Sequence, residues 1–406
     1  MSRIVFVNRF FYPDHSATSQ MLTDLAFHLA EQSHQVTVIA GRQLYGNPGD
    51  ALPASERVRG VKIHRVWSTR FGRARLLGRA LDYFTFYLSA AAALLRHLHS
   101  GDLVVAKTDP PLISVVAAGA SALTGARLIN WTQDLFPEVA SALDVAGVNV
   151  VERGLKGLRN RACLMAEWNV VIGERMADRL RREGIPADSI RVIHNWADAR
   201  AVRPIPHGDN PLRRQWNLEG KFVIGYSGNL GRAHEFETIV QAAERLSCRP
   251  SIRFLFIGDG AQLALLQEEV ERRGLLNVIF RPYQPRERLA YSLSVSDLHV
   301  VSLRPGLEGL IVPSKFYGIA AAGRPVLFLG SADGEIAQIL QQHRCGFCVG
   351  IGELEQTVSH IERLANDEVE CRRLGKAART ALETYYEKHT AFKAWNKTLS
   401  VSRRAA

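Results

Sequence analysis

Short runs of β-branched and other apolar residues alternate with longer amphipathic stretches along most of the chain, and this alternation constrains the fold more than any other feature. It specifies βαβ units and parallel sheets, because parallel neighbours need a crossover of a dozen or more residues, usually helical. Two such sets occur. The first opens with Ile4-Val5-Phe6-Val7, a strand expected over 4–8, and passes through a polar loop at 9–19 into a helix expected over 20–32. Its further strands are expected over 35–40, 61–66, 103–107, 127–131, 168–172 and 190–194. The second set begins with a strand over 222–227, then a helix over 236–246, a strand over 253–257 and a helix over 262–273. Strands over 278–281, 298–303 and 325–329 complete it, and beyond Glu353 the pattern is helical only.

Between the sets apolar periodicity lapses, and Pro204, Pro206, Gly208, Asp209, Asn210 and Pro211 gather as turn-forming residues do. A chain of 406 residues also exceeds one domain of ordinary size. The expected division is an N-terminal domain over 1–198, a linker over 199–220, a C-terminal domain over 221–385, and a last helix over 386–406 packing back on the N-terminal domain. The fold class is α/β, with two Rossmann-like, doubly wound domains facing a central cleft, where ligands of open α/β sheets bind.

Composition removes several alternatives. With 47% hydrophobic and 22% charged residues the chain can bury a normal core, which excludes disorder. Five scattered cysteines make no disulfide framework, which favours a reducing, cytoplasmic compartment. Cys345-Gly346-Phe347-Cys348 is a lone CxxC outside a thioredoxin-like setting and reads as packing. The opening Met1-Ser2-Arg3 leads straight into a strand rather than a secretory apolar region. The longest apolar stretches, 83–95 and 111–123, fall short of the roughly 20 residues of a spanning helix, and the first reads as a core helix with an aromatic face.

Chemistry is expected in the loops that follow strands. Tyr226-Ser227-Gly228-Asn229-Leu230-Gly231-Arg232 joins a strand to a helix. Its glycines would let backbone N–H groups approach an anion, and Arg232 offers a fork of donors to phosphate; it reads equally as a tight turn with a solvated Arg. Neither GxGxxG nor a P-loop is present, so dinucleotide binding and Walker-type phosphoryl transfer are unsupported. Gly258-Asp259-Gly260 repeats the arrangement at the next strand end. In the loop from Arg304 to Lys315, Ser314 and Lys315 stand at the start of a helix, where they either meet a phosphate or serve as an N-cap and a solvated Lys. In the first set, His15, Ser16, Thr18 and Ser19 lie after the first strand and Asp134 lies after the strand over 127–131; each is a cap or surface residue, or a catalytic or acceptor-positioning group.

Taken together these residues resemble the retaining glycosyltransferases of the GT4 group, which have the two-domain GT-B fold. The resemblance runs through Phe11-Tyr12-Pro13, Val192-Ile193-His194-Asn195-Trp196, Ser227-Gly228-Asn229, Phe256-Ile257-Gly258-Asp259-Gly260 and Ala322-Gly323-Arg324-Pro325-Val326. Gln133-Asp134-Leu135-Phe136-Pro137-Glu138 with Val312-Pro313-Ser314-Lys315 is most similar to the WbuB/WcaI-like branch of polysaccharide glycosyltransferases. The resemblance implies a nucleotide-diphosphate sugar, expected to be a UDP-sugar, bound by the second domain, and an acceptor bound by the first. Arg232 and Lys315 would hold the diphosphate and compensate the leaving group, so no cofactor and no metal are expected. Glu308 would contact the donor sugar, Tyr283 would lie near the base, and Gly228, Asn229, Gly258, Gly260 and Ser314 would complete the donor site. Family members carry a ribose-binding glutamate where this chain has Gly318, so Glu308 is a shifted candidate. Retention would follow from front-face attack, with the departing phosphate oxygen taking the acceptor proton and His15, Ser16 and Asp134 positioning the acceptor.

The net charge of +11 calls for anionic partners. Lys62, Arg65, Arg70, Arg73 and Arg75, flanked by Arg59 and Arg79, are interleaved with Trp67, Phe71, Leu76 and Leu77, without an Asp or Glu. Membrane-surface docking and a solvated basic loop both fit this cluster. A polyprenyl-diphosphate-linked sugar acceptor at the inner face of the cytoplasmic membrane reconciles the charge with the absence of a spanning helix; another glycan acceptor is the alternative. Nucleic acid is not an expected partner, since no helix-turn-helix, zinc-finger or RNP motif accompanies the charges. A GT-B sugar-nucleotide epimerase or hydrolase and a non-enzymatic sugar-nucleotide sensor are competing functions.

Overall fold

The structure, a computed structural model, describes residues 3–45, 51–72, 76–145 and 147–401. The chain forms two compact units, one of residues 1–193 with 392–406 and one of residues 194–391.

The first unit carries, in order, β1 (Ile4–Val7), α1 (Ala17–Glu31), β2 (Val36–Gly41), β3 (Ser55–Val58), β4 (Val61–Val66), α2 (Leu76–His97), β5 (Leu103–Lys107), α3 (Ile113–Thr124), β6 (Arg127–Thr132), α4 (Glu138–Ala142), α5 (Val148–Met165), β7 (Trp168–Val171), α6 (Glu174–Arg182) and β8 (Ile190–Val192). Its sheet runs β3-β4-β2-β1-β5-β6-β7-β8 and is parallel except for β3. The order reverses at β1, so the switch point lies between β1 and β5. On one face Val5, Val7 and Ile39 pack against Phe86, Ala90 and Leu94 of α2 and Ala117 of α3. Strands covered on both faces read as unbroken apolar runs, which is why β1, β2 and β5 were legible. The antiparallel edge strand β3 was not, because Ser55-Glu56-Arg57-Val58 faces solvent and has the polar composition of a loop.

The second unit contains α7 (Pro211–Gln215), β9 (Phe222–Ser227), α8 (Glu237–Arg245), β10 (Ile252–Ile257), α9 (Leu263–Arg272), β11 (Val278–Arg281), α10 (Leu289–Ser294), β12 (Leu298–Ser302), α11 (Lys315–Ala321), β13 (Val326–Leu329), α12 (Glu335–His343), β14 (Gly346–Val349), α13 (Leu354–Asn366) and α14 (Glu368–Ala381). Its sheet is parallel throughout, in the order β11-β10-β9-β12-β13-β14, with the switch point between β9 and β12. The last helix, α15 (Lys388–Ser400), belongs to the first unit from Phe392 on. Within that unit Trp395 packs on Trp131, with ring centroids 4.7 Å apart, and Phe392 stacks on His28 at 4.3 Å.

The stretch expected as a linker is largely built into the second unit. Leu212, Trp216 and Leu218 pack with Val223, Leu255 and Val295, and Asn210 caps α7 by accepting from Leu212 N at 3.0 Å. Its prolines and glycine shape a short capped helix and its turns. No strand is expected between 329 and 353, yet Gly346-Phe347-Cys348-Val349 forms the edge strand β14, too short to stand out in the pattern.

Candidate donor and acceptor loops

Strand order brings the chemistry-bearing loops of the second unit to one place, since the loops after β9 and β12 flank its switch point. The side chain of Lys315, the first residue of α11, crosses from the β12 loop to the β9 loop and lies so close to Gly228 that a Cβ there would meet Lys315 Cε at 2.7 Å. Its Nζ lies 3.0 Å from His234 Nε2 and 5.1 Å from the centre of the Tyr226 ring. The other imidazole nitrogen, Nδ1, bonds the carbonyl of Ser302 at the end of β12. A carbonyl can only accept, so Nδ1 carries the proton and Nε2 offers its lone pair to the Lys315 ammonium. Burial holds His234 down to about 3, with the Lys315 charge adding to the effect, so this imidazole stays neutral. Burial also brings Lys315 down from 10.5 to about 8, although the side chain is not wholly sealed from solvent. A partly desolvated ammonium, fixed by a neutral histidine, is a prepared site for an anion.

Gly228 and Gly258 serve this edge differently from expectation. Gly228 N donates to Ile257 O at 2.8 Å and Gly258 N to Arg281 O at 3.0 Å, so neither N–H is left for a phosphate. The glycines instead let two loops cross, as a Cβ on Gly258 would lie 2.1 Å from Gly228 O. Gly260 packs against Leu230 in the same way, and its N–H goes to the Asp259 carboxylate at 2.7 Å. The start of α8 is not an open anion site either, because the Glu235 carboxylate accepts from Thr238 N at 2.8 Å. Ser314 makes no side-chain cap bond to α11, which removes the simple N-cap reading.

Arg232 and Asn229 are exposed on the β9 loop, and Tyr283 is exposed after β11, near enough to Tyr226 to add to the upward shift that burial gives that phenol. The carboxylate of Glu308 lies at the N-terminus of α12, against Gly334 and within 3.4 Å of Glu335 N. It is thus held by a helix dipole. Gly318 lies one turn into α11, with no carboxylate to reach a ribose.

In the first unit, His15 and Ser16 follow β1 and Asp134 follows β6, at the same edge of the sheet. Ser16 does not cap α1; its N–H and hydroxyl both donate to the Asp14 carboxylate, which also accepts from Tyr45 N at 2.5 Å. Asp14, which is not among the residues singled out above, therefore shapes this loop, while His15 stays exposed. The residue ending β5 is Lys107, fully buried, with Nζ 3.3 Å from the centre of the Trp131 ring. Burial drives it well below its ordinary value, against the pull of Asp134 and Asp109. Asp134 keeps an exposed surface although protein crowds around it; burial pushes its carboxyl up to about 6, and the Lys107 charge opposes the rise. Among the described residues Asn8 Oδ1, Lys107 Nζ and Gln133 Nε2, from the ends of β1, β5 and β6, are buried without a hydrogen-bond partner.

The basic cluster over 59–79 is less available than expected. Arg65 is buried, pairing with Glu56 and donating to Tyr12 O at 2.7 Å, and Arg59 pairs with Glu31. Arg73 and Arg75 lie outside the described residues. No helix among the described residues is long and apolar enough to cross a membrane, and no group of three or more His, Cys, Asp and Glu side chains there could hold a metal ion.

Residues 18–200 match the family described as Glycosyltransferase Family 4, and residues 209–381 match Glycosyl transferases group 1. WcaI of Escherichia coli (strain K12), named as a colanic acid biosynthesis glycosyl transferase, is 26% identical over 363 residues, covering 86% of this chain and 89% of its own. A GDP-mannose-dependent alpha-mannosyltransferase of Mycobacterium tuberculosis (strain CDC 1551 / Oshkosh) is 24% identical over 370 residues, 88% of each chain. The crystal structure of Anabaena HepE in complex with UDP-glucose superposes with a TM-score of 0.73 at 18% identity, over 98% of this chain and 100% of that one, a likeness of fold. The chain belongs to the group 1, family 4 glycosyltransferases and has their GT-B fold of two parallel-sheet, Rossmann-like domains.

Proposed function

We propose that this protein transfers a sugar from a nucleotide-diphosphate sugar to a lipid-linked or other polysaccharide-precursor acceptor, with retention of configuration, in cell-surface polysaccharide assembly. The observation that carries the reading is Lys315, whose ammonium is partly desolvated and oriented by neutral His234 at the switch point of the second sheet. A diphosphate there restores the favourable electrostatics that burial removes from the ammonium. Arg232, exposed on the facing loop, supplies the second cation, and Asn229, Ser314 and Tyr283 complete the donor site. Glu308 faces the donor sugar.

In the transfer step the acceptor hydroxyl oxygen bonds to the anomeric carbon on the face the diphosphate leaves. The bond from that carbon to the phosphate oxygen breaks, its electron pair stays with the diphosphate, and the departing oxygen takes the hydroxyl proton. Charge builds on the diphosphate as this happens, and Lys315 and Arg232 stabilise it there. With those two cations no metal and no further cofactor is required, so activity should persist in EDTA. The acceptor binds the first unit, where His15, Ser16 and Asp134 position it.

A UDP-sugar is the first expectation for the donor, and the GDP-mannose dependence named for the mycobacterial relative supports a GDP-sugar as the second. Incubation with UDP-, GDP- and dTDP-sugars, read as thermal stabilisation and then as transfer, tests the proposal. One nucleotide class should stabilise the protein, and Arg232→Ala should slow transfer about 10²–10³-fold without unfolding it. Donor consumed in water alone, or isomerised, would make the protein a hydrolase or epimerase. Donor bound but never turned over would make it a sensor.

A further inference from the structure

We propose that the outer face of α2 is the surface by which the first unit docks, in the plane of the interface, on an anionic lipid bilayer. The partner rests on the reading of a lipid-linked acceptor, but the surface is argued from the helix itself. The inner face of α2 is core, with Asp82, Phe86, Ala90 and Leu94 all buried. A helix covering a sheet should turn polar side chains outward. Here Leu77, Leu81, Phe84, Leu88 and Leu95, which share one face at steps of three, four and seven, are between 46% and 81% exposed. The stripe is about 27 Å long at 1.5 Å per residue.

A loop extends the stripe at its N-terminal end. Asp82, the only acidic residue of α2, turns inward and accepts from Thr69 Oγ1 at 2.8 Å and from Phe71 N and Gly72 N at 3.0 Å each, drawing the loop onto the helix. Phe71 then sits against Gly78, where an added Cβ would meet Phe71 Cβ at 2.7 Å. Both Phe71 and Trp67 of this loop are exposed. The apolar face is therefore not an isolated run of leucines but a surface of helix and loop that Asp82 holds together.

Charge selects the occupant. Arg70 on the loop and Arg96 on the helix are exposed and Arg79 of the helix is half-buried, while residues 59–72 contain no Asp or Glu and the one acid of α2 faces inward. A second copy would bring these cations against themselves, whereas anionic headgroups complement them. The helix lies on the bilayer rather than through it, since its other face is committed to the core and it is not long and apolar enough to span.

Sedimentation of the full-length protein with vesicles of phosphatidylcholine alone, and of phosphatidylcholine mixed with phosphatidylglycerol, tests this. The wild type should bind the mixed vesicles more tightly, and added salt should weaken it. Leu81→Ser with Phe84→Ser and Leu88→Ser should reduce binding at least about tenfold. Thermal stabilisation by the donor nucleotide, read on the second unit, should not change. Binding by this variant equal to that of the wild type overturns the proposal. So does finding that the three substitutions abolish self-association of the free protein while leaving vesicle binding intact. A wild type that ignores vesicles yet glycosylates a detergent-dispersed lipid diphosphate rejects the docking surface alone. Vesicle binding through α2 in a protein that turns over no nucleotide sugar supports the surface and rejects the proposed function alone.

Discussion

Replacing Lys315 by Met separates what the ammonium costs the fold from what it does for catalysis. Burial lowers this lysine from 10.5 to about 8. A depression of that size disfavours the charged side chain in the native state by up to about 3 kcal/mol, reduced by whatever solvent reaches it. In the unfolded chain the lysine keeps its proton up to 10.5, whereas in the native state it loses it near 8. Between those values the unfolded state binds more protons, so stability rises with pH; the penalty is full below about 8 and fades toward 10.5. Lys315→Met removes this dependence. It also deprives His234 Nε2 of its donor, but His234 titrates near 3, so that loss is constant across neutral and alkaline pH. Urea unfolding of both proteins at pH 7 and pH 10 reads the difference. The wild type should gain about 1–3 kcal/mol relative to the variant over that interval. Parallel pH dependences would refute the desolvated-ammonium argument. In transfer assays kcat/KM of the wild type should fall above pH of about 8, and Lys315→Arg, with a guanidinium that stays charged, should lose that limb.

His234→Ala should lower kcat/KM and shift the alkaline limb, because Lys315 loses the acceptor that orients it, while His234→Gln should restore part of both; identical pH profiles would reduce His234 to a packing role. Gly258→Ala should weaken nucleotide binding and destabilise the protein by at least about 2 kcal/mol, since its Cβ would lie 2.1 Å from Gly228 O; a normal Tm would show that the crossing loops can yield. Asp134, raised to about 6 by burial, should give kcat/KM an acid limb as its carboxylate is protonated, with Asp134→Asn low and flat across that range. An unchanged acid limb in the Asn variant would assign the titration elsewhere.

What was legible in the chain followed from local chemistry. Buried parallel strands carry apolar residues on both faces, so β1, β5, β9 and β10 announced themselves, and loops after such strands hold the polar residues that cannot enter them. Arg232, Lys315, His15 and Asp134 could thus be singled out from their positions alone. Edge strands β3 and β14 lacked that signature, and the apparent linker hid Leu212 and Trp216 because a short capped helix has too few turns to show a period.

The sequence by itself determined the two α/β units, the polar loops that follow their strands and the excess of positive charge. Tertiary structure decided what each of those residues does. His234 and Lys315 are 81 positions apart and meet only because β9 and β12 are neighbours in the sheet. The amides of Gly228 and Gly258 are consumed by the carbonyls that end β10 and β11, contacts no local pattern contains. Leucines and phenylalanines line both sides of α2, so periodicity cannot say which side meets the core; packing buries Phe86 and leaves Phe84 in solvent. The physical reason is the same in each case: local sequence sets backbone preference and polarity, but the environment of a side chain is set by distant segments that the fold brings against it.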